Sequence, residues 1–195
     1  GVDRRHHQMC LMEKLWPAFH YFTQYMVYNP AHWEAYVRVN EKFCEAILKK
    51  AGPEDTIWVH DYQLLLLPKM LREKLPNATI AFFQHIPFPS YEIIRMIPWR
   101  RQLLEGMVGA DLIGFHTYDD MRHFLSAVGR ITGLSSESGY IQAENRIINV
   151  DSFPMGIDYD KFANQAKSRK TQGIVREFRK QVEDQKLIIT IDRLD

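Results

Sequence analysis

Four apolar, strand-like runs in this 195-residue chain each end in polar or ionisable side chains. The run at 56–59 is followed by His60-Asp61-Tyr62, that at 79–83 by Gln84-His85, that at 111–115 by His116-Thr117, and that at 186–191 by Asp192-Arg193. Imidazole, carboxylate and guanidinium groups can hold a polar ligand through hydrogen bonds and charge. The carboxyl ends of parallel strands are also where open α/β sheets bind ligands. Strand ends carry polar residues for a second reason, the capping of the next helix. Thr117 with Asp119-Asp120 fits that capping pattern, and His116 suits either use. Asp61 and His85 open no evident capping box, so together they are read as functional.

The elements that must position these groups follow from periodicity. Leu11, Leu15, Phe19 and Phe22 recur at helical spacing around Pro17. Over 31–50, Trp33, Tyr36, Val37, Phe43, Ile47 and Leu48 mark one apolar helix face, and Gly52-Pro53 supplies the stop. Strands are then expected at 56–59, 79–83, 111–115 and 146–150, with helices at 63–74, 91–107 and from a Thr117 cap to about 129. Each strand-like run lacks alternation, as parallel strands covered on both faces do. The repetition predicts a doubly wound α/β domain with a parallel sheet. Two charged helical stretches, 158–168 and 171–185, lead into a last strand at 186–191 that is expected to begin a second domain.

Composition narrows the function classes. Hydrophobic residues make up 46% of the chain and aromatic residues 12%, enough for a packed core. With 25 basic and 24 acidic residues the formal net charge is +1, so no field points to nucleic acid or a membrane surface. No run approaches the roughly 20 apolar residues of a membrane span. Cys10 and Cys44 form no CxxC and read as core thiols, which suggests a reducing, cytoplasmic setting. The sequence contains no GxGxxG after the first strand, no Walker loop, no GxSxG and no HExxH. His116 and His123 lack zinc-ligand spacing, and Arg4-Arg5-His6-His7 reads as a solvated basic turn. The chain opens without Met and stops after a strand-like run, so it is expected to be a piece of a larger protein.

The blocks "LWPAFHY" (15–21), "IWVHDYQLLLLPKMLR" (57–72), "FFQHIPFPSYEIIRMIPWR" (82–100), "GADLIGFHTYDDMRHFLSAVGRITGL" (109–134), "FPMGID" (153–158) and "IDRLD" (191–195) together resemble the trehalose-6-phosphate synthase family. They cover nearly the whole chain, in the family's order. The resemblance implies a GT-B architecture. Residues 1–155 would be part of the acceptor-side Rossmann-like domain, 156–185 a helical linker, and 186–195 the first strand of the nucleotide-sugar domain. It implies transfer of glucose from UDP-glucose to glucose-6-phosphate with retention, without a metal or other cofactor. Residue by residue, it implies that Asp61, with the adjoining Tyr62, contacts the acceptor sugar and that His85 contacts the donor glucose. Trp16 would line the glucose-6-phosphate pocket, and Arg193 would face the UDP diphosphate. Asp61, His85 and Arg193 are thus the expected catalytic set.

Gln63 and Gln84 depart from the family's usual His and Leu, and His7 stands where a phosphate-binding Tyr is common. The resemblance also allows a homo-oligomer and a fused phosphatase domain. Two other readings share these residues: a non-catalytic regulatory subunit that binds sugar phosphates or partner subunits, and a pseudo-glycosyltransferase with another acceptor. On either reading this piece alone is expected to be inactive.

Overall fold

The computed structural model describes residues 15–143, 145–182, 185–186 and 188–191. Among the described residues, four compact apolar runs and two short, more polar segments form six strands: β1 Thr56–His60, β2 Thr79–Phe83, β3 Leu112–Phe115, β4 Ser136–Glu137, β5 Tyr140–Ala143 and β6 Arg146–Ser152. They make one sheet in the order β1-β2-β3-β6-β5-β4. β1, β2, β3 and β6 run parallel, whereas β5 and β4 are antiparallel. The sheet is therefore mixed, where a wholly parallel one was expected. Ser138 (φ 50°) and Gly139 (φ 84°) explain the difference, because two successive positive φ angles make the tight turn of a β4–β5 hairpin.

Register sets the core. Val59, Phe82, Ile113 and Val150 are laterally aligned and all buried, so one face of the sheet is a continuous apolar layer. The opposite face is less covered than the unbroken apolar runs suggest. Its row Trp58–Ala81–Leu112–Asn149 ranges from half-buried to exposed, with Trp58 62% accessible.

Among the described residues the helices are α1 Trp16–Phe19, α2 Pro30–Leu48, α3 Leu67–Lys74, α4 Tyr91–Ile94, α5 Arg100–Met107, α6 Tyr118–Thr132, α7 Tyr159–Lys167 and α8 Arg169–Val182. Asn29 caps α2, its side chain accepting the Ala31 N–H at 2.9 Å. α2 buries His32, Ala35, Tyr36, Asn40 and Cys44. Phe43, expected on that face, is nearly half exposed, and the neighbouring Cys44 thiol is buried in its place. The single helix expected over 63–74 divides into a 3-10 turn, Tyr62–Leu64, and α3, because Pro68 fits the first turn of a helix but not its interior. The helix expected over 91–107 likewise divides at Pro98 into α4 and α5. Thr117 caps α6, which ends where Gly133 takes φ 84° and returns its N–H to Gly129.

α5 lies very close to the backbone that follows the 3-10 turn. A Cβ placed on Gly106 would fall 2.3 Å from the Leu65 carbonyl oxygen, and one on Gly109 would fall 2.2 Å from Lys69 N. At the amino ends of the strands Asp111 accepts from Arg72 (2.5 Å) and from the Ile80 N–H (2.8 Å), with Arg146 3.6 Å away.

The chain divides into two units, Gly1–Pro154 and Met155–Asp195. The first carries the whole sheet. The second carries α7, capped by Asp158 on the Lys161 N–H (3.0 Å), and α8. Lys186 and residues 188–191, within the strand expected at 186–191, have no regular secondary structure. Among the described residues no helix is long and apolar enough to cross a membrane.

Candidate functional site at the carboxyl edge of the sheet

Asp61 follows β1 directly, with φ 69° and ψ 170°. That conformation belongs almost entirely to glycine, and any other residue adopts it at a cost of about 1–3 kcal/mol. The surroundings hold it there. Its N–H donates to the Phe83 carbonyl (2.8 Å), and its carbonyl accepts the Leu64 N–H (3.1 Å). Its Oδ1 accepts the N–H groups of both Tyr62 (3.0 Å) and His85 (3.2 Å). The carboxylate therefore ties the end of β1 to the end of β2. Its second oxygen has no hydrogen bond among the described residues, which leaves it able to accept one from a ligand.

Three imidazoles line the edge beside it. His60 Nδ1 lies 2.9 Å from His85 Nε2, with the ring planes 20° apart. The centroids of His85 and His116 are 5.6 Å apart, and Phe83 packs against both at 4.9 and 5.0 Å. Gly114 makes room for the Phe83 ring, since a Cβ there would stand 2.6 Å from Phe83 Cδ2. Partial desolvation by its neighbours lowers the His85 pKa although the ring reaches solvent, Asp61 opposes that, and His60 and His116 add to it. His85 is consequently a neutral donor and acceptor at pH 7 rather than a fixed cation.

The loop after His85 is clamped by side chains from α6 and from the turn after α1. Asp120 Oδ1 accepts the Phe88 N–H (2.8 Å), and His123 Nδ1 lies 3.1 Å from the Phe88 carbonyl. Tyr21, itself at φ 63°, accepts the Ser90 N–H on its hydroxyl (2.9 Å). Thr117 caps as expected, its Oγ1 accepting the Asp120 N–H at 3.2 Å, while Asp120 adds the loop contact. Phe19, at the end of α1, packs edge-on against Phe88 (5.6 Å) and against Tyr62 (6.4 Å). This packing brings the Trp16 segment to the same edge. The Trp16 indole is half-buried and stacks on His20 (4.2 Å) and Phe22 (6.0 Å).

Asp61 and His85, the pair singled out in the sequence, are thus in direct contact. Tyr62 is buried against Phe19, and burial raises its pKa, Asp61 adding to the rise and the Gln63 side chain opposing it. Arg193, Asp192, His7 and Cys10 lie outside the described residues. Sequence reasoning missed Tyr36 and Asn40. Tyr36 donates its hydroxyl to the Tyr62 carbonyl (2.8 Å) and accepts the Leu65 N–H (3.0 Å), while Asn40 Nδ2 donates to the Gln63 carbonyl (3.2 Å). The one available signal was an Asn on the otherwise apolar stripe of α2. Gln84 was noted for its type, but its burial was not foreseen. It is 1% exposed, and neither amide atom has a hydrogen-bond partner among the described residues. Among the described residues no group of three or more His, Cys, Asp or Glu is placed to hold a metal ion.

A mixed α/β sheet that gathers a carboxylate and imidazoles at its carboxyl edge is consistent with a Rossmann-like domain of the GT-B type. The chain belongs to glycosyltransferase family 20, which it matches over residues 2–195. It is 46% identical over 187 residues to the UDP-forming α,α-trehalose-phosphate synthase of Pichia angusta, covering 93% of this chain and 39% of that protein. The structure of a UDP-forming α,α-trehalose-phosphate synthase from Burkholderia xenovorans in complex with glucose-6-phosphate superposes with a TM-score of 0.83 at 33% identity, covering 98% of this chain and 44% of that one. The N-terminal domain of Candida albicans trehalose-6-phosphate phosphatase superposes with a TM-score of 0.74 at 38% identity, covering 88% and 37%. The chain therefore spans well under half the length of these relatives.

Proposed function

We propose that the full-length protein is a retaining glucosyltransferase that moves glucose from UDP-glucose to glucose-6-phosphate, forming α,α-trehalose 6-phosphate and UDP. The observation that carries this reading is Asp61, held in a glycine-like conformation against His85 at the carboxyl edge of a family 20 chain. A carboxylate fixed in this way accepts hydrogen bonds from sugar hydroxyls and orients the acceptor. His85 contacts the donor glucose, Trp16 and Tyr62 shape the acceptor side, and Arg193 faces the diphosphate. The acceptor oxygen attacks the anomeric carbon from the face that the leaving group vacates. The bond from that carbon to the diphosphate oxygen breaks, and the acceptor proton passes to the departing phosphate. Charge on the leaving group is met by cationic side chains and backbone N–H groups, without a metal. On this reading residues 1–155 belong to the acceptor-side domain, 156–185 link the domains, and 186–195 open the nucleotide-sugar domain. The setting is cytoplasmic.

A second reading draws on the likeness to a chain named as a phosphatase N-terminal domain and on Gln63 and Gln84 beside the site. It makes the protein a non-catalytic subunit, or one fused to a phosphatase, that binds sugar phosphates. One experiment separates these: full-length protein with UDP-glucose and glucose-6-phosphate, following UDP release. UDP release coupled to trehalose 6-phosphate formation supports the first reading. Binding without release supports the second, and release with another acceptor sugar alone would identify a pseudo-glycosyltransferase.

A further inference from the structure

His60 precedes the strained Asp61 and ends β1, where it is paired in register with Phe83 of β2. Trp58, two residues earlier, lies on the same face of the strand and packs its ring 4.6 Å from that of His60. His60 is therefore backed by an indole on one side and meets His85 on the other, Nδ1 to Nε2 at 2.9 Å. The two imidazole planes lie 20° apart, with their centroids 5.1 Å apart. His85 is bounded by Phe83, His116 and Asp61. Among the described residues nothing pairs with its Nδ1.

We propose that His60 is a positioning residue for His85: by engaging Nε2 it fixes the imidazole tautomer and presents Nδ1 as the nitrogen that meets the donor sugar. The inference rests on the glucosyltransferase reading for the identity of the ligand, and on geometry alone for the orientation of the ring. A neutral imidazole has one N–H, and the partner of one nitrogen decides whether the other donates or accepts. The titratable groups facing His85 are His60, His116 and Asp61. Of these, His60 is the one hydrogen-bonded to its ring. Both imidazoles are exposed, so the bond is a modest one and its loss should cost about three- to tenfold in function rather than all of it.

The test uses the full-length protein labelled with 15N-histidine, as wild type and as His60→Phe, His60→Asn and His60→Ala. Phe keeps a ring against Trp58 but has no nitrogen, whereas Asn places an amide near the former Nδ1. In wild type the His85 nitrogens should report a single tautomer. His60→Phe and His60→Ala should give a mixture, and His60→Asn should restore one form. In steady state, the Phe variant should raise the KM for UDP-glucose about three- to tenfold, leave that for glucose-6-phosphate unchanged, and be rescued by Asn. Identical His85 shifts in wild type and in the folded Phe or Ala variant would overturn the proposal. A wild type that releases no UDP would instead remove the functional reading, while the nitrogen shifts would still decide the positioning.

Discussion

The hydroxyl of Tyr36 donates to the carbonyl of Tyr62, 26 residues away in sequence, across 2.8 Å. The same oxygen accepts the Leu65 N–H, so one buried phenol spans the turn that begins at Asp61. Removing it leaves a buried N–H and a buried carbonyl short of a partner. Tyr36→Phe should therefore destabilise by about 1–3 kcal/mol, read as a lower urea midpoint. The 3-10 turn should also lose hydrogen-exchange protection at Leu65 before the sheet does.

The backbone of Asp61 and its side chain pull in opposite directions. Gly relieves the φ of 69° and Ala does not, so Asp61→Gly should be more stable than Asp61→Ala by about 1–2 kcal/mol, while both lose transfer activity. Asp61→Asn keeps the shape of the side chain and an acceptor oxygen but not the charge. On the proposed function its kcat in the full-length protein should still fall by about 100-fold, because the charge proposed to orient the acceptor is gone. An Asn variant as active as wild type would show that the carboxylate is structural.

The lowered pKa of His85 gives stability a pH signature. Above the ordinary value of 6.5 neither the folded nor the unfolded chain protonates this ring. As pH falls below that value the unfolded chain takes up the proton first. The stabilisation is therefore present above 6.5 and is lost progressively until folded His85 itself titrates. His85→Gln should reduce the drop in urea midpoint between about pH 7.5 and about pH 5.

Gln84 places both polar atoms of its amide in the interior, without partners among the described residues. Gln84→Leu keeps most of the volume and removes the desolvated groups, and should raise stability by about 1 kcal/mol or more. A fall in the urea midpoint would show instead that the amide is hydrogen-bonded in solution.

Gly106 sits inside α5, where alanine would ordinarily gain about 1 kcal/mol of helix propensity. Here the added carbon would meet the backbone at Leu65 and Leu66, at 2.3 and 2.8 Å, and neither can turn aside as a side chain would. Overpacking outweighs propensity, and Gly106→Ala should destabilise by about 1–3 kcal/mol net. A rise in thermal midpoint would refute the close approach.

The parallel strands were legible because each is a compact apolar run, and the edge position of Asp61 and His85 followed from that. Their contact was not legible. It depends on the β1–β2 register and on a positive φ at Asp61, to which no neighbouring glycine points. Tyr36 was visible as a helix-face aromatic, but nothing in the spacing of α2 tells that its hydroxyl reaches the turn after β1. The β4–β5 hairpin was missed because Ser136–Glu137 and Tyr140–Ala143 lack an apolar run, although Ser138-Gly139 is a turn signal. The breaks before α3 and α5 could have been read from Pro68 and Pro98.

That hairpin also has a bearing on how the chain behaves in a crowded solution. A long, flat outer strand offers its unpaired N–H and carbonyl groups as a template for a neighbour's strand. Here the sheet tapers on that side from the seven residues of β6 to the two of β4, both exposed and one of them a glutamate. Such a margin is too short and too charged to recruit a foreign strand. The same turn that breaks the parallel pattern thus guards one flank of the molecule against edge-to-edge aggregation.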